Sequence, residues 1–346
     1  MSTIDKIRAA ARAIDGHVLR TPVLSDPALD EIAGRRVWVK AECLQYTGSF
    51  KARGAWNALS QMLPEDRKRG GGAVSSGNHA QGVARAARAF GAPAVILMPE
   101  DAPETKIDNT RALGAEVVLF DRESADRDAI GAELSQTRGL TLVKPFDDPN
   151  VIAGQGTTGL ELAAQAQALG IVSADVAVCC GGGGLTAGIA VALAAEAPDL
   201  RVRPVEPEGF DDVARSLAHG QILRNERRSG SICDAILTDA PGALTWPLLS
   251  RHCAPGVVVR DEECLRAMGL ALTRLNVVIE PGGGAGRAAA LFHPEAFSGA
   301  DIFAVATGGN VRVVAVGAIA EKICCADRFF MSWLLAESVR LFTGFA

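Results

Sequence analysis

Short apolar, largely β-branched runs alternate along this chain with longer stretches whose apolar positions recur at helical spacing. The runs are Val37 to Ala41, Ala73 to Ser75, Ala94 to Met98, Glu116 to Phe120, Asp175 to Cys179, Val202 to Val205, Val277 to Glu280 and Ile302 to Ala306. Between them, Ala80 to Phe90, Thr105 to Leu113, Asp126 to Arg138, Gly156 to Leu169, Leu185 to Ala197 and Glu262 to Leu275 carry the helical period. Strand and helix taking turns in this way predicts an α/β protein with mostly parallel sheets. Internal repeats and low-complexity tracts are absent.

The first fifteen residues read as a charged amphipathic helix around Asp5-Lys6-Ile7-Arg8 and lack the apolar centre of a signal peptide. No stretch reaches membrane-spanning length without charge or glycine, so a cytoplasmic chain is expected. A length of 346 residues favours two domains over one. The prolines that bracket acids in Pro145-Phe146-Asp147-Asp148-Pro149 mark one crossing between them, and Glu42 to Gly48 a second. The expected division is residues 1–45 plus 146–320 as a large cofactor-binding domain, 46–145 as a smaller one, and 321–346 as an unassigned tail. Loops at the strand ends would face the cleft between lobes, where open α/β sheets bind ligands.

Composition narrows the chemistry. A net charge of −5 and a pI near 5.7 provide no basic stripe for nucleic acid, which leaves a small molecule as the expected partner. The eight cysteines show no C-x-x-C spacing and read as buried thiols in a reducing compartment.

Three segments carry candidate chemistry. Gly181-Gly182-Gly183-Gly184-Leu185-Thr186 follows an apolar strand and opens a helix, so converging backbone N–H groups and the helix N-terminus can hold a phosphate. No lysine follows as it would in a nucleoside-triphosphate loop. Lys51 stands in Thr47-Gly48-Ser49-Phe50-Lys51-Ala52-Arg53-Gly54, at the start of a helix, where an unprotonated or imine-linked amine is favoured over a charged one. Ser75-Ser76-Gly77-Asn78-His79 joins another strand to a helix and offers hydroxyls, an amide and backbone donors to a carboxylate. A reactive amine, a phosphate cradle and an anion-gripping nest together ask for an aldehyde cofactor carrying a phosphate, namely pyridoxal phosphate. Gly154-Gln155-Gly156-Thr157-Thr158-Gly159 matches the dinucleotide fingerprint, but it lacks a proper preceding strand and the following acid, so it reads as a glycine-rich helix start.

The chain resembles the fold-type II pyridoxal-phosphate enzymes of the serine/threonine dehydratase and serine racemase family. The resemblance rests on Ser49-Phe50-Lys51-Ala52-Arg53-Gly54-Ala55, Ser75-Ser76-Gly77-Asn78-His79-Ala80-Gln81, Ile152-Ala153-Gly154-Gln155-Gly156-Thr157, Gly181 to Leu185, Val205-Glu206-Pro207, Glu280-Pro281 and Thr307-Gly308-Gly309-Asn310, in family order. It implies a two-lobed, tryptophan synthase β-like fold with the cofactor in the cleft, and a homodimer. It further implies that Lys51 holds the cofactor as a Schiff base beside Phe50, that Asn78 contacts the ring oxygen, and that Gly181, Gly182, Gly183, Gly184 and Leu185 bind the phosphate. Thr307 would face the pyridine nitrogen, and Ser75, Ser76, Asn78 and His79 the substrate. Ser76 would stand on the cofactor face opposite Lys51, where a second proton donor keeps racemisation open. Glu206, Asp212 and the carbonyl of Phe210 match the family's divalent-cation loop, which suits Mg²⁺ or Ca²⁺.

The implied activity is α,β-elimination from L-threonine or L-serine to a 2-oxo acid and ammonia. A 3-hydroxyaspartate dehydratase and a serine racemase are the alternatives within the family. The first would need an additional cation, for which Arg53 and Arg287 are the candidates. Phe146 stands where serine racemases tend to carry a polar residue, which favours elimination. Gly282 to Arg287 departs from the family's usual Ser/Thr-Gly-Ala after Glu-Pro. Outside the family, a nicotinamide-dependent oxidoreductase rests on the fingerprint alone.

Overall fold

The computed structural model describes residues 3–75, 77–100, 102, 104–121 and 127–311. Ser76, part of the Asp126 to Arg138 stretch, and the tail with Cys324 and Cys325 lie wholly or partly outside them. The strands are β1 (Val23–Leu24), β2 (Arg36–Lys40), β3 (Gly71–Val74), β4 (Ala94–Pro99), β5 (Glu116–Phe120), β6 (Thr141–Leu142), β7 (Ala174–Cys179), β8 (Leu200–Pro207), β9 (Val257–Val259) and β10 (Asp301–Val305). They form two sheets, ordered β1-β2-β10-β7-β8-β9 and β5-β4-β3-β6. Every pairing is parallel except β1 with β2 at an edge. The middle strands β4, β7 and β10 are buried at every position, as parallel strands covered on both faces must be.

The helices are α1 (Ile4–Ile14), α2 (Pro27–Ala33), α3 (Lys51–Ser60), α4 (Pro64–Arg69), α5 (Asn78–Ala89), α6 (Glu104–Ala112), α7 (Arg127–Arg138), α8 (Pro149–Ala168), α9 (Gly184–Glu196), α10 (Asp212–His219), α11 (Trp246–His252), α12 (Asp261–Leu275) and α13 (Pro281–Phe292). Among the described residues no helix is long and apolar enough to cross a membrane.

Two sequence expectations are corrected. Val277 to Glu280 is not a strand: Asn276 ends α12 in the left-handed conformation (φ 54°), and Pro281 starts α13 directly after Glu280. Val277 and Ile279 are buried, so the apolar run is real, but its backbone joins no sheet. The second correction concerns α8, which starts at Pro149 and not at Gly156. Asp148 caps it by accepting from the N–H of Asn150 and of Val151 (2.7 and 2.9 Å), and Pro149 fills the first turn, where a missing N–H costs nothing. The proline read as a breaker is a helix start.

The fingerprint glycines therefore lie inside α8, where they make room. A methyl group on Gly154 would stand 2.6 Å from Gly54 Cα on α3. One on Gly156 would stand 2.9 Å from Gly188 O, and one on Gly159 3.0 Å from Ile189 Cα, both on α9. Glycine costs helix propensity, and here it allows backbones to touch. α8 is thus clasped on one side by the helix that begins with Lys51 and on the other by the helix that follows the glycine quartet.

Polar groups reinforce the first clasp. Arg53, fully buried on α3, donates from Nε and Nη2 to Glu42 (both 2.8 Å) and from Nη1 and Nη2 to Glu161 on α8 (2.6 and 2.9 Å). Lys40 Nζ donates to Glu161 at 2.6 Å and to Thr21 O at 2.9 Å. Burial alone would raise the Glu42 pKa, but the Arg53 guanidinium, the Lys40 charge and the Thr21 hydrogen bond together hold the carboxyl below its usual range. Removing either partner would strand a buried charge.

Candidate active site

Lys51 is the first residue of α3, and no side chain caps that helix. The turn before it is fastened to the end of β10: Phe50 N–H donates to Thr307 O (3.1 Å), Gly309 N–H donates to Gly48 O (2.9 Å), and Ser49 bridges Gly308. Lys51 Nζ lies 5.1 Å from the Phe50 ring centre and donates to Pro145 O at 2.7 Å. Burial pulls its pKa down to about 8, and the Glu280 charge opposes this only in part. A neutral, nucleophilic amine is therefore within reach near neutral pH.

The glycine quartet sits where β7 gives way to α9. Gly183 adopts φ 88°, a left-handed conformation that a side chain resists, and α9 begins with no side-chain cap. The first N–H groups of α9 are thus free of side-chain partners, as an anion cradle requires. The segment Phe146 to Asp147 roofs the turn: a methyl on Gly184 would come within 2.9 Å of Phe146 Cα. Thr245 Oγ1 donates to Gly182 O at 2.7 Å and pins the loop from below. Pro145, which holds the lysine, and Phe146, which covers the cradle, are neighbours in sequence, so the two features adjoin in space.

Asn78 starts α5. Its Nδ2 donates to Glu280, and its Oδ1 accepts from Asn310 Nδ2 at 2.6 Å. Asn310 Nδ2 also donates to Thr47 O at 2.8 Å, so the amide chain ends on the turn before Lys51. Glu280 is buried and its pKa rises to about 7, with the Asn78 hydrogen bond and the charges of Lys106 and Lys51 restraining the rise. His79 is buried, with Nε2 2.7 Å from Val143 O. Burial, with the Lys51 charge adding to it, lowers its pKa to about 3, so it is a neutral ring throughout the physiological range.

Thr307 is 5% exposed, and its N–H donates to Gly283 O at 3.1 Å, which sets it beside α13. Ser75 N–H donates to Leu97 O (3.0 Å), continuing the β3 to β4 pairing into the turn, while Ser75 Oγ accepts from Gly77 N–H (3.3 Å). Pro145 and Phe146 thus tie the buried lysine to the cradle, and the amide chain through Asn310 ties the start of α5 to the turn before Lys51. Lysine and cradle suit an aldehyde cofactor with an anionic tail.

A family model described as pyridoxal-phosphate dependent enzyme matches residues 14–308, most of the chain. The chain belongs to this family. An L-threo-3-hydroxyaspartate ammonia-lyase of a Pseudomonas species is 41% identical over 309 residues, covering 89% of this chain and 95% of that protein. An L-threonine ammonia-lyase of Thermotoga maritima is 38% identical over 322 residues, with 93% and 79% covered. Among solved structures, maize serine racemase superposes with a TM-score of 0.85 at 33% identity, with 93% and 98% covered. The superposition places the two-sheet α/β fold described above among pyridoxal-phosphate enzymes, and the ammonia-lyases among the relatives support an enzyme of the lyase type.

The cation loop runs from the end of β8 to the start of α10. Glu206 is buried and accepts from the N–H of Val213 and of Ala214 (3.0 and 2.7 Å) at the start of α10. Asp212 Oδ1 accepts from Asn225 Nδ2 at 2.6 Å, while Oδ2 is buried without a partner. Burial drives both carboxyls up, Asp212 to about 7 and Glu206 well above its usual range, with Asp212 adding to the shift of Glu206. Phe210 is buried between them in the chain, its N–H donating to Pro207 O at 3.0 Å. Among the described residues no group of three or more His, Cys, Asp or Glu side chains gathers as a metal site, so any ion here would need backbone oxygens too.

The cations proposed from sequence for a second carboxylate do not reach the cleft. Arg53 is spent on Glu42 and Glu161. Arg287 is fully buried on α13, its Nη1 donating to Ala267 O, and burial lowers its pKa to about 9 against the opposing charge of Asp26. What sequence reading missed is Lys106. Its spacing to the other motifs carries no signal, and only the packing of α6 against α5 brings it to the turn at Gly77.

Proposed function

We propose that this chain is an ammonia-lyase that removes water and then ammonia from a β-hydroxy amino acid by α,β-elimination. The observation that carries the reading is a lysine whose pKa is depressed to about 8, set beside an uncapped glycine cradle and an uncapped carboxylate nest. Pyridoxal phosphate, when bound, supplies the electron sink that acidifies the substrate Cα–H. Lys51 would bind it covalently and, once released by the substrate amine, take the Cα proton. Gly181 to Leu185 would hold the phosphate, Asn78 would face the ring oxygen, and Phe50 would pack beside the ring. Thr307 would give the pyridine nitrogen a neutral partner, which leaves the sink weak and favours prompt loss of the β-hydroxyl. Ser75, Asn78 and His79 would orient the substrate carboxylate; Ser76, expected from the sequence as a proton donor, lies outside the described residues.

We assign residues 1–45 with 146–320 as one lobe and 46–145 as the other, each with one of the two sheets, and the cofactor would sit between them. At the cation loop, the unpartnered Asp212 Oδ2 fits a hard divalent ion held with Glu206 and the Phe210 carbonyl. Borohydride reduction of the loaded protein should attach the cofactor to the peptide bearing Lys51. The deciding assay is oxo-acid release from L-serine, L-threonine and threo-3-hydroxyaspartate, with chiral analysis of the residual amino acid. Accumulation of D-serine faster than pyruvate would overturn elimination as the main activity.

A further inference from the structure

The ammonia-lyase reading leaves the substrate side chain without a partner, and the assignment of Lys106 to it rests on that reading. Lys106, in the first turn of α6, leans over the start of α5: its Nζ lies 3.9 Å from the point where a Cβ on Gly77 would stand. Across the cleft it meets Asp234 Oδ2 at 3.4 Å. That contact is long beside the 2.6 to 2.9 Å pairs around Arg53. The two ends differ in freedom, since the Lys106 side chain is 14% exposed and that of Asp234 62%. A held ammonium thus faces a carboxylate that can swing into solvent.

The Asp234 segment reaches the cradle as well, because a methyl on Gly181 would stand 3.2 Å from Ile236 Cα. Lys106 therefore sits where the carboxylate nest, the cradle and the opposite wall come together. The N–H groups at the start of α5 and the neighbouring hydroxyl can satisfy one carboxylate. A second full negative charge needs a cation, and Arg53 and Arg287 are sealed in the core.

We propose that Lys106 receives the side-chain carboxylate of a dicarboxylic β-hydroxy amino acid, which takes the place of Asp234. The preferred substrate class is then 3-hydroxyaspartate, with serine and threonine as weaker substrates that leave the Lys106–Asp234 pair intact. A charge-assisted bond of this kind discriminates because the analogue without the carboxylate gains nothing from the cation.

The test uses the loaded enzyme and its Lys106→Met, Lys106→Arg and Asp234→Asn variants. Lys106→Met should lower kcat/KM for threo-3-hydroxyaspartate about 100-fold and that for L-serine less than about threefold, with Lys106→Arg recovering part of the loss. Calorimetry with maleate as a dicarboxylate probe should show binding weakened in Lys106→Met and tightened several-fold in Asp234→Asn, where the competing carboxylate is gone. An equal fall for all substrates would place Lys106 on the common α-carboxylate and overturn the proposal, as would an unchanged substrate ratio. A parent enzyme active on serine and threonine but not on 3-hydroxyaspartate sinks this inference and leaves the lyase reading standing. Failure to release oxo acid from any of the three sinks both.

Discussion

Two strand-to-helix turns face the buried lysine, and they are built in opposite ways. The β7 to α9 turn is made of glycines, pinned by Thr245 and roofed by Phe146, with little side chain of its own. The β3 to α5 turn carries Ser75, Asn78 and His79, is linked by hydrogen bonds of the Asn78 amide to Glu280 and Asn310, and has an exchangeable ion pair over its rim. Both expose the start of a helix without a side-chain cap, so both attract anions. A turn of bare backbone suits a group that never changes, such as a phosphate. A turn with side chains and a movable counter-ion suits one that varies between substrates.

Replacing the residue both turns serve should have the largest effect. Lys51→Ala should lower oxo-acid release by about 10⁴-fold or more while the far-UV circular dichroism is kept. Residual activity within tenfold of the parent would leave neither turn with a lysine to serve.

The next experiment separates the turns. Gly182→Val puts a branched side chain into the Phe146 ring and should weaken cofactor retention about 100-fold, read by dialysis and absorbance. Ser75→Ala should leave cofactor retention intact and raise KM about tenfold, the worth of one hydrogen bond to a charged group. Equal cofactor loss in both variants would erase the distinction between a fixed turn and a variable one.

A third measurement sharpens the role of the lysine between them. With its pKa at about 8, Lys51 is neutral in about one molecule in ten at pH 7, whereas an ordinary lysine would be neutral in fewer than one in a thousand. Below pH 8 the protonated amine dominates, so cofactor capture by the stripped protein should climb about tenfold per pH unit and flatten above that point. A climb continuing beyond pH 10 would show that the cleft does not depress the amine.

The smallest effect concerns the third such turn, β8 to α10, where the helix start is already taken by the Glu206 carboxylate. Millimolar Mg²⁺ or Ca²⁺ should raise the thermal midpoint by about 2–4 °C, and Asp212→Asn should remove the response. No response in the parent would leave that turn as a plain capped helix.

Much of the fold was legible in the sequence, for identifiable reasons. Parallel strands buried on both faces read as unbroken apolar runs, which is why β4, β7 and β10 stand close to where the pattern puts them. The Val277 to Glu280 run misled because apolar residues bury equally well in an irregular segment, and hydropathy does not register hydrogen-bond partners. The start of α8 was readable from Asp148-Pro149, a cap followed by a first-turn proline, but two nearby prolines suggested a break. Arg53 and Arg287 look alike as letters. One is matched by two carboxylates from distant elements, while Arg287 has Nε and Nη2 unpartnered, and only folding decides which.

The glycine seam along α8 constrains how such an enzyme can change over time. Each residue turns a helix by about 100°, so deleting a single one between Gly154 and Gly159 would swing the later glycines away from the backbone they accommodate. The lysine and its phosphate anchor would then lose their common spine together. Length variation should accordingly be rejected in this helix and tolerated in loops, and new substrate preferences should arise by exchanging side chains around Gly77 and Asp234 while the spine keeps its length.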